Sequence, residues 1–117
     1  MRKRHGYRPR SHAIRAATAV PLEVMRLSAM ALQQALAIAV RCRRGASSDV
    51  GVAMALLGAG FHGARLTVRS NLERIGDAAF VDAVTAEVER LSADAAQAAT
   101  LAEQALGQSR FAKGHVP

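Results

Sequence analysis

Between Ser48 and Asp77, the residues Val50, Ala53, Leu57, Phe61, Ala64, Val68, Leu72 and Ile75 recur at steps of three and four. This is the period of one apolar helix face. A second row of the same helix holds only small residues, Gly51, Ala55, Ala59 and Gly63, with Gly58 and Gly60 beside it. Each glycine costs about 1 kcal/mol of helix propensity against alanine, so the row predicts a second backbone packed very close. A third row, His62, Arg65, Arg69 and Glu73, is polar and mostly basic. Ser48-Asp49 is a helix-start signal, and Gly76-Asp77 ends this helix and caps the next.

Two further helices flank it. The helix from Pro21 to about Arg44 is apolar over most of its circumference, with Glu23, Arg26, Gln33, Gln34 and Arg41 in one narrow polar stripe. Pro21 stands either at the first turn of that helix or at a kink, because Ala13 to Val20 already reads as mid-helix sequence. The last helix starts near Asp77 and runs to about Leu106 on the apolar line Phe80, Val84, Val88, Leu91, Ala95, Ala98, Ala102. No stretch alternates as a strand would. The pattern predicts an all-α fold, an antiparallel bundle of three to four long helices spanning residues 13–107. Residues 1–12 are expected to be a disordered basic arm and 108–117 a polar tail. Three helices cannot cover this much apolar circumference, so completion by oligomerisation is expected, most simply as a homodimer.

Charge changes the picture less than its total suggests. The net charge is +7, which invites a nucleic-acid reading. Arg2, Lys3, Arg4, Arg8, Arg10 and Arg15 all precede the first acid, Glu23, and from Asp77 to Glu103 the only base is Arg90. The basicity belongs to the arm, where Tyr7 is the one stacking ring, so a solvated tail is expected rather than a nucleic-acid partner. An organellar transit peptide, or a start codon inside a longer frame, would give a similar arm. Cys42 is the single cysteine, which excludes an internal disulfide and points to a reducing, cytoplasmic setting. No stretch is read as reaching a membrane span. The four His lack metal-ligand spacing, so no metal is expected.

Three ordered blocks then resemble the cyclodeaminase/cyclohydrolase family of folate enzymes. They are Ala19-Val20-Pro21-Leu22-Glu23-Val24, Ser48-Asp49-Val50-Gly51-Val52-Ala53, and Gly63-Ala64 … Val68-Arg69 … Asn71-Leu72 … Ile75 … Asp77 … Phe80-Val81. The resemblance covers roughly residues 13 to 106. It implies a dimeric helical bundle acting on the one-carbon unit of tetrahydrofolate, bound as substrate with no tightly held cofactor. Cyclodeaminases of this family close 5-formiminotetrahydrofolate to 5,10-methenyltetrahydrofolate and release ammonia. Its cyclohydrolases add water to the methenyl form. Family members are nearly twice this length and carry a glycine-rich Pro-Gly-Gly-Gly-Ser segment ahead of these blocks, so the alternative is a truncated, non-catalytic dimerisation module.

Four residues are candidates for the site. Asp49 is read either as a helix cap or as a catalytic acid/base. Arg65 and Arg69, with His62 one turn earlier, either hold the glutamate carboxylates of folate or form a solvated face with an Arg69–Glu73 pair. Asn71 borders the apolar line, where a buried amide needs partners, and is a candidate contact for the pterin or for a second subunit. Cys42 among Arg41, Arg43 and Arg44 lacks a matching His and acid, so no nucleophilic role is expected.

Overall fold

A computed structural model describes the backbone of residues 2–114 and the side chains of residues 12–108. Among the described residues there are three α-helices: α1 (Arg2–Ala39), α2 (Ser47–Leu72) and α3 (Ala78–Gly114). A 3-10 turn at Arg44–Ala46 precedes α2. Among the described residues there is no strand, and the all-α expectation holds. The two end segments differ from expectation. The helix begins at Arg2, so residues 2–12 are its first turns and not an irregular arm. Helix propagation adds one bond per residue fixed, and Pro9 removes a single donor without ending the helix. Likewise α3 continues past Leu106 to Gly114, leaving only 115–117 of the expected tail outside the described residues. Pro21 starts no new helix, because α1 runs through it unbroken.

The helix starts also separate expectation from outcome. At α3, the Asp77 carboxylate accepts a hydrogen bond from the Phe80 backbone N–H at 3.2 Å, the cap that Gly76-Asp77 predicts. Asp77 is further bound by Arg15 of α1 at 3.3 Å, whose guanidinium lies 4.4 Å from the centroid of the Phe80 ring. At α2, the residue ahead of the helix is Ala46, and no side chain caps it. Ser47 instead donates to the Arg44 carbonyl at 2.8 Å. Asp49 is exposed in the first turn, where its charge suits the positive end of the helix dipole without a capping bond.

Short turns make α1 antiparallel to α2 and α2 antiparallel to α3, so α1 and α3 run parallel. Their cross-contacts keep one register: Arg15 to Asp77, Arg26 to Glu87, and Gln33 to the Asp94 carbonyl. The main core joins Leu22, Met25 and Leu32 of α1, Phe61 and Val68 of α2, and Val88 of α3. Toward the α1–α2 turn the core narrows to Ala35, Ala39, Met54 and Ala102. Three of these four residues are alanines, and the whole is a rod measuring 78 × 20 × 16 Å.

Arg26 is the strongest polar link between α1 and α3. Its Nε and Nη2 donate to the two Glu87 carboxylate oxygens at 2.6 and 2.8 Å, and Nη1 reaches Glu23 at 3.1 Å. These hydrogen bonds from Arg26 hold the Glu87 carboxyl below the usual carboxylate range, against an opposing effect of burial. A depressed folded-state pKa contributes stability above the unfolded value, about 4.3 for Glu, and loses it as pH falls through the folded value. Glu87→Gln is therefore expected to lower stability by about 1 kcal/mol at pH 7. Urea unfolding repeated at pH 7, 4 and 3 should show the gap to the native chain shrinking as the pH drops.

Large apolar side chains remain outside this core. Val20, Leu27, Met30 and Ile38 of α1 and Val52, Leu56 and Leu66 of α2 are each more than half exposed. A Cβ built at Gly51, Gly58, Gly60 or Gly63 meets nothing within 4 Å. The close backbone neighbour that the small row predicts is thus not supplied by this chain. One expectation needs correction. The segment Arg44–Leu72, 29 residues with an 18-residue window of mean hydropathy 1.2, is long and apolar enough to cross a membrane by length and composition. It reaches that value because no charged residue stands between Asp49 and Arg65.

Candidate functional site

Of the four candidate residues, the structure brings two together. Arg65 is half-buried where α2 faces α3. Its Nη1 donates to Ser92 Oγ at 3.4 Å, its Nη2 meets His62 Nδ1 at 2.6 Å, and the guanidinium lies 6.0 Å from the Phe61 ring centroid. Arginine has no acceptor. His62 Nδ1 must therefore accept this bond, which places the neutral imidazole's proton on Nε2. The Arg65 Nε is buried with no partner at all. A buried donor left unmade costs about 1–3 kcal/mol, and this one has no accessible surface through which a ligand could reach it.

Arg69 lies one turn further along the same face and is exposed. The Arg69–Glu73 pair expected from their spacing is not formed, and among the described residues neither takes part in an ion pair. Arg69 is thus open to solvent beside Arg65. Arg65 is not the solvated alternative either, since it packs on Phe61 and Ser92.

Asp49 and Asn71 do not join this cluster. At 1.5 Å per residue, Asp49 stands about 24 Å from Arg65 and about 30 Å from Arg69 along one helix. Two helix positions turn by roughly 200°, so Asn71 lies almost opposite Arg69 on α2. Asn71 is half-buried, and its side-chain amide makes no hydrogen bond among the described residues. A continuous α2 cannot bend these groups together. Ser92 is a neighbour of Arg65 that the sequence does not single out. Its only signal is a hydroxyl placed next to Leu91 on the inner edge of α3.

A surface groove of about 330 Å³ lies elsewhere, between α1 and α3, lined by Arg26, Ala29, Met30, Gln33, Leu91 and Asp94. None of the four candidates lines it. Its single cation, Arg26, is already met by Glu23 and Glu87, and the Asp94 carboxylate adds negative charge. An anionic ligand therefore finds its better partner at Arg65 and Arg69, where two guanidinium groups meet no acid. This cluster is suited to holding a carboxylate. It contains no acid for proton transfer, and His62 has only an N–H left to offer.

No curated protein and no solved structure matches the chain. A family model does, that of formiminotransferase-cyclodeaminase, over residues 3–90. The match begins ten residues before the expected domain start, which agrees with α1 reaching back to Arg2, and it ends just ahead of Ser92. Asp49, Arg65, Arg69 and Asn71 all fall within it, and on a match spanning three quarters of its length the chain belongs to the formiminotransferase-cyclodeaminase family.

Proposed function

We propose that the chain handles a one-carbon derivative of tetrahydrofolate, holding a glutamate carboxylate of the folate on Arg65 with Arg69 beside it. The observation that supports this most is that Arg65 and Arg69 stand one turn apart on one face of α2, within the family-matched segment, and among the described residues neither is met by an acid. A carboxylate can take two guanidinium N–H groups side by side, the fork geometry that arginine offers, and exposed Arg69 has both edges of its fork open.

The chemistry of this reading is hydrolysis or cyclisation at the one-carbon unit. In the hydrolytic direction, water attacks the methenyl carbon and its bond to N5 breaks. N10 keeps the formyl group, and one proton is released. In the cyclising direction, N10 attacks the formimino carbon and ammonia leaves. Both need a fixed acid or base, and Asp49 is the candidate for it, with Asn71 as a pterin contact. Because Asp49 lies far from Arg65 in one chain, the reaction on this reading draws its groups from more than one chain, as a homodimer would allow.

That same separation favours a second reading, a helical module that binds folate or a partner chain without turnover. The two part in one experiment. The purified chain is mixed with 5,10-methenyltetrahydrofolate, absorbance loss is followed, and binding is measured by calorimetry. Turnover above the buffer rate supports the enzyme. Binding alone supports the module, and neither signal sinks the folate reading.

A further inference from the structure

We propose that the groove between α1 and α3 binds a small planar aromatic cation of the amidinium or guanidinium class, its N–H fork on the Asp94 carboxylate and its ring against Met30 and Leu91. The site is separate from Arg65 and Arg69 and does not rest on the folate reading.

The groove follows from the parallel register of the two helices. Arg26 lies level with Glu87, and Gln33 with Asp94, so the turns from Arg26 to Gln33 and from Glu87 to Asp94 face each other. Between them stands the buried Ala29, whose single methyl group leaves about 330 Å³ unfilled. That volume is at the lower end of what small-molecule sites offer. Met30 of α1 is exposed and Leu91 of α3 is half-buried, one on each side of the gap. A thioether and an aliphatic side chain suit a flat ring, and sulfur–aromatic contact is itself favourable.

Charge selects the occupant. Arg26 is the one cation lining the groove, and all three of its guanidinium nitrogens already donate to Glu23 or Glu87. Arg90, the next base along α3, has its Nη2 3.9 Å from Glu87. Asp94, one turn further on, takes part in no ion pair among the described residues. Two arginines thus stand with three acids, and the unmatched negative charge is that of Asp94. Gln33 Nε2 donates to the Asp94 carbonyl at 3.5 Å, which leaves its Oε1 to accept. The groove therefore offers acceptors, and a ligand edge carrying several N–H groups answers it where a carboxylate does not. An amidinium meets a carboxylate through two parallel N–H bonds. A flat, delocalised cation is also more weakly hydrated than an ammonium, so it gives up less water on an apolar floor. Leu91 and Asp94 lie past residue 90, where the family match ends, so the site is built in part from residues outside the matched segment.

The test titrates benzamidine into the full chain and follows backbone amide shifts by NMR. Saturating shifts are expected at residues 29–33 and 91–95, with a dissociation constant on the order of 1 mM. Asp94→Asn, which keeps the shape and removes the charge, should weaken binding at least about tenfold. Methylguanidinium, a fork without a ring, should bind at least about tenfold more weakly than benzamidine. Benzoate, a ring with the opposite charge, should leave these amides unmoved. Helicity by circular dichroism should be unchanged in Asp94→Asn, since the residue is exposed. The proposal is overturned if benzamidine gives no saturable shift in the groove, or if Asp94→Asn binds it as the native chain does. Equal binding of methylguanidinium or of benzoate overturns it as well. Movement of the same amides on raising protein concentration alone would mean that a second copy covers the groove, which also overturns it.

Discussion

Replacing Phe61 by Ala is expected to lower the unfolding free energy by about 3–5 kcal/mol. Phe61 is 5% exposed and is the one buried aromatic side chain among the described residues. Around it the core is aliphatic: Leu22 and Met25 on α1, Val68 on α2, Val88 on α3. These side chains stand on long straight helices that cannot close over the vacated space, so the cavity term adds to the lost transfer energy. A domain of this size has about 5–15 kcal/mol in total, so the variant should be close to unfolding at 37 °C. Denaturant unfolding followed by circular dichroism measures this. Both chains must be compared at one protein concentration, because association adds to apparent stability. A loss under about 1 kcal/mol would mean that α2 is not docked on α1 through this ring.

The periodic parts of the fold are readable in one dimension. The three- and four-residue steps of Val50 to Ile75 and of Phe80 to Ala102 mark the buried lines of α2 and α3, and Asp77 caps α3 as its position predicts. The start of α1 is not readable in this way. Gly6 and Pro9 argue locally against a helix, and the helix continues regardless because Ala13 to Val20 already propagate it. Arg26–Glu87 is hidden for a different reason. Both residues sit off the apolar lines, and only the parallel register of α1 on α3 makes them neighbours. The candidate site divides along the same boundary. Arg65 and Arg69 are four apart, so helix geometry keeps them on one face. Arg69 and Asn71 are adjacent in the family-like block but two apart on the helix, and two positions turn a side chain nearly to the opposite side. Ser92 needs the register of α3 on α2, which no pattern within a single helix contains.

Arg65→Ala is expected to weaken binding of a tetrahydrofolate monoglutamate by roughly 10–100-fold, the loss of one charge-assisted pair worth about 1.5–3 kcal/mol. Its effect on stability should be much smaller. The variant loses a 3.4 Å bond to Ser92 and a 6.0 Å cation–π contact with Phe61, but it also removes the buried Nε that no group satisfies. These terms oppose each other, which places the net change within about 1 kcal/mol. Arg65→Lys separates charge from geometry: a lysine keeps the positive charge but offers no fork, so it should recover only part of the affinity. His62→Ala should cost less than either, because His62 accepts from Arg65 and orients it without meeting the ligand's charge. Calorimetric titration of the four chains, with unfolding curves in parallel, gives the comparison. Unchanged affinity in Arg65→Ala would remove Arg65 as the carboxylate's partner. A parallel fall in stability and affinity would show that Arg65 acts only by holding α2 against α3.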